Sequence, residues 1–223
     1  MKVAALIPVY NEEDRIGGVV ERIKQLKIVE EIVVVDDGSK DRSSLEAKKA
    51  GATVLRHPMN RGKGEALKTG FKYILKKNLE GVITLDGDGQ HAPEEIPKML
   101  KKAEESGADI VVGSRMYNPQ NMPFVRYLTN IITSWLTSLL CGERVRDSQC
   151  GFRFIKREVV EKVNLECSHF EIESEILIKA GKKGFRIVEV PITTIYLEDS
   201  TKRSKIKPWR DTLRFIKLVW RNL

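Results

Sequence analysis

Two acids separated by a single residue follow a run of apolar residues in the stretch LDGDGQH, residues 85–91. Asp86 and Asp88 would repel each other at the end of a buried strand unless a positive charge lay between them. Mg²⁺ and Mn²⁺ favour oxygen ligands, and magnesium commonly takes one or two protein carboxylates and completes its shell with water and substrate phosphates. Gly87 and Gly89 would relieve the steric demands of the turn. The spacing therefore predicts a divalent-cation site that also receives a nucleotide diphosphate.

The sequence matches neither a calcium-binding EF-hand loop nor a phosphate-binding P-loop. A calcium-binding EF-hand loop needs Gly at its sixth position and Glu at its twelfth, where this chain has His91 and Pro97. NRGKGEALKTG, residues 60–70, offers Gly62 and Gly64 before a helix whose N-terminus could face a phosphate. It lacks the spacing of a P-loop, so we expect Lys63 to be solvated.

The elements that would position these residues alternate along the chain. Runs rich in β-branched residues predict strands: VAALIPV (3–9), EIVVVDD (31–37), ATVLRH (52–57), GVITLD (81–86) and DIVVGS (109–114). Apolar residues recur at helical spacing from Ile16 to Leu26, with Asn11 as a possible cap, and a further helix is expected to open at Pro93. Strands joined through helices favour an α/β fold with a mostly parallel sheet, whose carboxyl edge would collect the polar strand ends.

Length and composition are those of one large globular domain. The chain has 223 residues, of which 41% are hydrophobic and 31% charged. Its three cysteines lack metal-ligand spacing, which argues against a disulfide framework or a structural zinc site and favours a cytoplasmic setting. The N-terminus reads as a first strand and not as a signal peptide. We expect a catalytic domain over residues 1–200 and a basic amphipathic helix over residues 201–223.

Most of the net charge lies in the last 23 residues. Residues 201–223 hold eight basic side chains and one acid, which is +7 of the total of +8. Four of the basic residues form one helical stripe, beside a stripe of apolar residues that includes Trp209 and Trp220. This pattern predicts a helix at an anionic membrane surface. Solvated surface charge is the alternative; nucleic acid is not the expected partner, because no RNA-binding motif is present.

A second stretch, residues 122–142, is nearly uncharged. Apolar residues from Phe124 to Leu139 recur on one side of a predicted helix, and Arg126, Asn130, Thr133 and Thr137 share another. The pattern predicts an amphipathic helix in the headgroup zone, with burial in the core as the alternative. It is too polar to span a bilayer.

Seven motifs in order resemble family 2 inverting glycosyltransferases of the GT-A fold, and among them the polyprenyl-phosphate sugar synthases. The motifs are IPVYNEE, VVDDGSKD, NRGKGEALKTG, LDGDGQH, VVGSR, DSQCGFR and RSKIKPWRD. The resemblance implies a nucleotide-binding sheet flanked by helices, in which Asp86 and Asp88 hold the metal and Gln90 joins them. It also implies that Pro8, Tyr10, Glu12 and Asp37 cradle the base.

The predicted nucleotide site contains two adjacent acids, Asp36 and Asp37, whose roles differ. Asp37 could accept a hydrogen bond from a ring N–H of either guanine or uracil, so it cannot distinguish them. Asp36 is a nucleotide-binding candidate with a structural role in the turn as its alternative. Asp86 belongs to both the nucleotide set and the metal set.

The acceptor site needs cations. A phosphate acceptor is already ionised near neutral pH, so it needs docking cations and no strong base. The candidates are Arg115, Arg126, Arg203 and Lys205. Asp147 and Arg115 are the catalytic candidates. Asp147 could act as a base or as a group that orients the acceptor, while Arg153 could be structural.

The resulting prediction is a metal-dependent, inverting transfer of mannose from GDP-mannose, or of glucose from UDP-glucose, to dolichyl or another polyprenyl phosphate. The enzyme would sit peripherally on the cytoplasmic face of a membrane, directly or through a membrane-anchoring protein. The alternatives are transfer to a hydroxyl acceptor and a catalytically inactive module that senses nucleotides or recruits partners to the membrane.

Overall fold

A computed structural model describes residues 1–119, 122–195 and 208–223. In these ranges the chain forms a seven-stranded sheet flanked by helices. The strands are β1 (Val3–Val9), β2 (Glu31–Asp36), β3 (Thr53–Arg56), β4 (Gly81–Thr84), β5 (Ile110–Ser114), β6 (Arg153–Lys156) and β7 (Ile187–Pro191). The helices are α1 (Ile16–Leu26), α2 (Ser43–Ala50), α3 (Lys63–Ile74), α4 (Ile96–Ser106), α5 (Phe124–Cys141), α6 (Arg157–Lys162), α7 (Ile172–Lys182) and α8 (Pro208–Asn222).

The sheet is mostly parallel, as the sequence predicts. Its order is β3-β2-β1-β4-β6-β5-β7, and only β6 runs antiparallel to its neighbours β4 and β5. All five predicted strands are present, with boundaries shifted by no more than two residues. β1, β2 and β4 are parallel neighbours, so the residues that follow them share one edge of the sheet. This edge carries the candidate site.

The helix starts agree only in part with the predictions. The apolar side of α1 is buried as expected, but the helix begins at Ile16 and Asn11 does not cap it. Asn11 instead adopts a left-handed φ of 54°, and its Oδ1 accepts a hydrogen bond from the Lys40 amide at 2.8 Å. The cap prediction is wrong because Asn11 ties the end of β1 to the loop after β2. Pro93 does open a helical segment, a single 3₁₀ turn that leads into α4.

Helix α5 is amphipathic, and its polar side faces the protein. Asn130, Thr133, Ser134 and Thr137 are buried. The exposed apolar side chains of α5 are Phe124, Val125, Leu128, Ile131, Ile132, Trp135 and Leu139. The alternative of core burial is therefore wrong for this apolar side.

Helix α8 packs against α5 through a small part of its surface. Leu218 is buried, whereas Trp209, Leu213, Ile216 and Trp220 are exposed. Two neighbouring helices thus present apolar side chains to solvent. Within the described ranges, no helix combines the length and apolarity needed to cross a bilayer.

Candidate active site

The turn after β4 carries the paired acids. Gly89 has φ 74°, which favours glycine, and a Cβ on Gly87 would lie 2.6 Å from the Val9 side chain. Glycine is therefore required at both positions, as the sequence predicts. The Gln90 amide donates to Asp88 Oδ1 at 3.0 Å and closes the turn.

The two acids differ in their electrostatic surroundings. Burial would raise the pKa of Asp86, but the Lys63 ammonium, with Nζ 2.5 Å from Oδ1, outweighs burial and holds that pKa well below its usual value. Burial raises the pKa of Asp88, and the negative charge of Asp86 raises it further. Asp88 is thus an acid short of positive charge, and a bound cation would supply that charge and stabilise its anion.

The donor set fits a magnesium or manganese ion. Asp86 and Asp88 offer carboxylate oxygens one residue apart, and Gln90 offers an amide oxygen beside them. Among the described residues no cluster of three His, Cys, Asp or Glu side chains could hold a metal alone. An ion here would therefore complete its shell with water and substrate phosphates, as magnesium commonly does.

Lys63 is not solvated, which corrects the prediction from sequence. Its side chain is 14% exposed, and Nζ lies between Asp86 Oδ1 and Glu173 Oε1, 2.5 and 2.6 Å away. The start of α3 does not face a phosphate either, because the Gly64 amide donates to the Ser168 carbonyl at 2.9 Å. The Ser168 main chain therefore covers the start of α3. The Lys63 side chain lies at the edge of the sheet, beside Asp86.

The predicted nucleotide residues lie around the end of β1. Pro8 lines a small cavity together with Lys63 and Asp86. Tyr10 is half-buried and Glu12 is buried, and the Glu12 amide donates to Ser43 Oγ at 2.7 Å. The first strand end is therefore fixed beside the paired acids.

The two acids at the end of β2 are both buried and both bonded to the protein. Asp36 Oδ1 accepts from the Ser39 amide at 2.8 Å, the contact expected of a turn-forming acid. Asp37 accepts from the Arg61 and Gly62 amides at 2.9 and 2.7 Å and from His57 Nδ1 at 2.7 Å. Asp37 therefore fixes the loop that leads into α3.

Arg115 and Asp147 form a buried pair. Asp147 Oδ2 accepts from the Arg115 amide and Nε at 2.9 and 2.8 Å, and Oδ1 accepts from Arg115 Nη2 and Asn130 Nδ2 at 2.8 and 2.7 Å. Burial would raise the pKa of Asp147, but the Arg115 guanidinium outweighs burial and lowers it. These four bonds use the usual acceptor positions of a carboxylate. Such a carboxylate is better suited to orienting Arg115 than to taking a proton.

The other acceptor candidates are less closely defined. Arg126 is half-buried near the start of α5, one turn before Asn130, so it shares a helix face with the residue that contacts Asp147. Arg203 and Lys205 lie outside the described residues.

Three buried side chains beside the site were missed from the sequence. His91 Nδ1 accepts from the Asp86 amide at 3.2 Å, and burial lowers the pKa of His91. Glu173 contacts Lys63, and Asn130 contacts Asp147. His91 follows the DxDxQ run directly, a signal that could have been used, but Glu173 meets the site only through the fold.

Comparisons with known proteins identify the family and relatives of this chain. The family model described as Glycosyl transferase family 2 matches residues 4–164. A UDP-N-acetylglucosamine–dolichyl-phosphate N-acetylglucosaminyltransferase from Methanococcus voltae is 36% identical over 220 residues, covering 89% of this chain and 87% of the relative. A dolichol-phosphate mannosyltransferase from Pyrococcus furiosus is 36% identical over 204 residues, covering 86% of this chain and 56% of the relative.

A solved structure resembles the whole fold. Glucosyl-3-phosphoglycerate synthase from Mycobacterium tuberculosis, in complex with Mn²⁺, UDP and phosphoglyceric acid, superposes with a TM-score of 0.74 at 20% identity. The match covers 98% of this chain and 75% of the synthase. The GT-A fold predicted from the motifs is confirmed. The family match spans well over half of the chain, and this chain therefore belongs to glycosyltransferase family 2.

Proposed function

We propose that this glycosyltransferase moves a sugar from a nucleoside diphosphate sugar to the phosphate of a polyprenol, with inversion and with Mg²⁺ or Mn²⁺. One observation carries the proposal: two acids one residue apart, of which Asp88 is short of positive charge, lie at the same sheet edge as an arginine held by a buried carboxylate. Both relatives named above are called dolichyl- or dolichol-phosphate transferases, which supports the choice of acceptor.

The donor binds at the carboxyl edge of the sheet. Pro8, Tyr10 and Glu12 after β1, with Asp36 and Asp37 after β2, form the nucleotide side. Asp36 and Asp37 shape this side, because their carboxylates already hold the surrounding main chain. Base contacts are therefore expected mainly from the segment after β1.

The diphosphate lies against the turn after β4. Asp86, Asp88 and Gln90 hold the cation there, and when bound it neutralises charge on the leaving diphosphate. Asp86 also belongs to the nucleotide side, because it lines the same small cavity as Pro8. The chain itself supplies the rigid turn that presents these oxygens.

The acceptor phosphate docks on Arg115. A phosphate monoester is already anionic near neutral pH, so the chain needs to orient it and not to deprotonate it. Asp147 is the positioning residue, because it fixes the Arg115 guanidinium through two side-chain hydrogen bonds of 2.8 Å each. Arg126, Arg203 and Lys205 add positive charge around the two phosphate groups.

The membrane surface receives α5 and α8. Their exposed apolar side chains include Trp135, Trp209 and Trp220, which are 65%, 87% and 79% exposed. A basic stripe on α8 begins at Arg210 and ends at Arg221 and would favour anionic lipids, at about 1 kcal/mol for each residue near the surface. The enzyme would then work peripherally on the cytoplasmic face, directly or with a membrane-anchoring protein.

We propose GDP-mannose as the donor, in line with the mannosyltransferase from Pyrococcus furiosus. A UDP sugar is the second candidate. The relative from Methanococcus voltae favours it, because that protein is named for UDP-N-acetylglucosamine and matches over 87% of its own length.

The test is a transfer assay with a panel of nucleotide sugars labelled in the sugar. Purified protein, Mg²⁺ or Mn²⁺ and polyprenyl phosphate are incubated with each sugar, and the label in the organic extract is counted. We expect label from one GDP or UDP sugar that is released by mild acid, because a glycosyl phosphate is acid-labile. No extractable label from any donor would refute the proposal, and acid-stable label would indicate a hydroxyl acceptor.

A further inference from the structure

Lys63 is enclosed between two acids that come from different parts of the fold. Its Nζ lies 2.5 Å from Asp86 Oδ1 and 2.6 Å from Glu173 Oε1. A Cβ added to Gly151 would lie 2.8 Å from the same nitrogen, so the Gly151 main chain closes one side of the ammonium. Lys63 thus links the first residue of α3, the turn after β4 and the first turn of α7.

We propose that Lys63 and Glu173 are positioning residues for the donor site, an inference that rests on the proposed function. Lys63 binds one oxygen of Asp86 and so fixes the rotation of that carboxylate. Its other oxygen, Oδ2, lies 3.9 Å from His91 Nδ1 and is the oxygen offered to the donor or the cation. Glu173 in turn holds the ammonium in place.

The surroundings of Glu173 argue against a purely structural role for the pair. Its side chain is 4% exposed, Oε1 lies 2.6 Å from the Lys63 ammonium, and neither oxygen has a hydrogen-bond partner among the described residues. A buried carboxylate without hydrogen bonds is costly, and replacing a buried ion pair by apolar residues is often neutral or stabilising. Stability alone therefore gives little reason for this pair, whereas contact with Asp86 gives one.

The experiment replaces both members of the pair at once. K63M/E173L removes both buried charges with little change in volume. Binding of UDP and of GDP is titrated calorimetrically at saturating Mn²⁺, and the Mn²⁺ spectrum of the ternary complex is recorded by electron paramagnetic resonance. Thermal unfolding is measured without ligand. The matched control is K162M/E158L, an exposed pair on α6 with Nζ to Oε1 of 2.6 Å.

We expect K63M/E173L to remain folded and to bind the preferred nucleotide at least tenfold more weakly, with an altered Mn²⁺ spectrum. The control should bind as wild type does. A stable K63M/E173L that binds within threefold of wild type would overturn the inference.

If K63M/E173L does not fold, K63Q/E173Q is judged by the same criteria. Failure of both variants to fold would overturn the inference, because the pair would then serve the fold itself. Wild-type protein that binds neither nucleotide would instead refute the proposed function.

Discussion

The exposed apolar side of α5 predicts that the chain binds lipid surfaces through side chains that the fold does not need. The perturbation is W135S/L139S. Trp135 is 65% exposed and Leu139 is 66% exposed, so removing them should leave the unfolding temperature nearly unchanged. Any loss of membrane binding would then be a direct effect.

The magnitude follows from the exposed area. A tryptophan side chain buries roughly 150–250 Å², so two thirds of it is about 100–160 Å². At about 25 cal/mol per Å² this corresponds to about 2.5–4 kcal/mol on full insertion, and Leu139 adds about 1–2 kcal/mol. If the two side chains insert only half as far, their removal costs about 2 kcal/mol, which would still lower partitioning into vesicles about thirtyfold.

The assay is flotation with vesicles of neutral lipid and with vesicles that contain anionic lipid. The control is L45S/M59S, which removes two other exposed apolar side chains, 47% and 67% exposed, outside α5 and α8. We expect the control to float with the vesicles and W135S/L139S to remain in the lower fractions. Equal flotation of W135S/L139S and wild type, with both folded, would refute the reasoning.

Three further predictions concern the site and its support. D88N should abolish nucleotide binding that depends on Mn²⁺ while leaving the metal-free unfolding temperature unchanged or higher, because an acid with a raised pKa is removed; normal binding by calorimetry would exclude Asp88 from the cation site. D147N should lower the free energy of unfolding by about 3–5 kcal/mol at pH 7, because it breaks a buried ion pair. The pKa of Asp147 is lower in the folded protein than its ordinary value of about 4, so the stabilisation is complete above that value and is lost as pH falls through the folded pKa. Denaturant titrations should therefore find a smaller difference between D147N and wild type at low pH. G62A should destabilise more than G107A, since both glycines have positive φ but only a Cβ at Gly62 meets a backbone atom, the Ser168 oxygen at 2.3 Å; equal losses in denaturant melts would contradict the close approach.

The strands could be predicted where both of their faces are buried. β1 and the centre of β2 are continuous apolar runs without helical periodicity. β6 could not be predicted in this way, because it begins with Arg153 and lies between β4 and β5. The Arg153 guanidinium is buried by donating to three main-chain carbonyls, those of Ser148, Cys150 and Glu173, at 2.5–2.8 Å. Those carbonyls are placed by the fold and leave no pattern in the sequence.

The residues of the candidate site show the same contrast between local and distant contacts. Asp86 and Asp88 were predictable because each lies in the turn directly after one strand. Lys63 was misread as solvated because its partner Glu173 lies on α7, far away in the sequence. Neighbouring residues along the chain predict which groups follow a strand, but not which distant group neutralises them.

Helix α5 is the element for which the sequence leaves orientation open. Its amphipathic pattern predicts two sides but not which one faces the protein, since a core would attract the apolar side and a lipid surface would attract it equally. The polar side faces inward because it has specific partners there. Asn130 donates to Asp147 at 2.7 Å, and Ser134 Oγ accepts from the Ser148 amide at 2.9 Å.

That orientation connects the membrane proposal to the chemistry. The side of α5 opposite Trp135 holds Asn130, and Asn130 shares Asp147 with Arg115. An α-helix with its side chains is about 10 Å across, so a lipid surface in contact with α5 would lie about one helix diameter from the carboxylate that fixes Arg115. A polyprenyl phosphate has its anionic group at such a surface and its chain within it. Helix α5, which would contact the lipid, therefore also supports the arginine that would receive the phosphate.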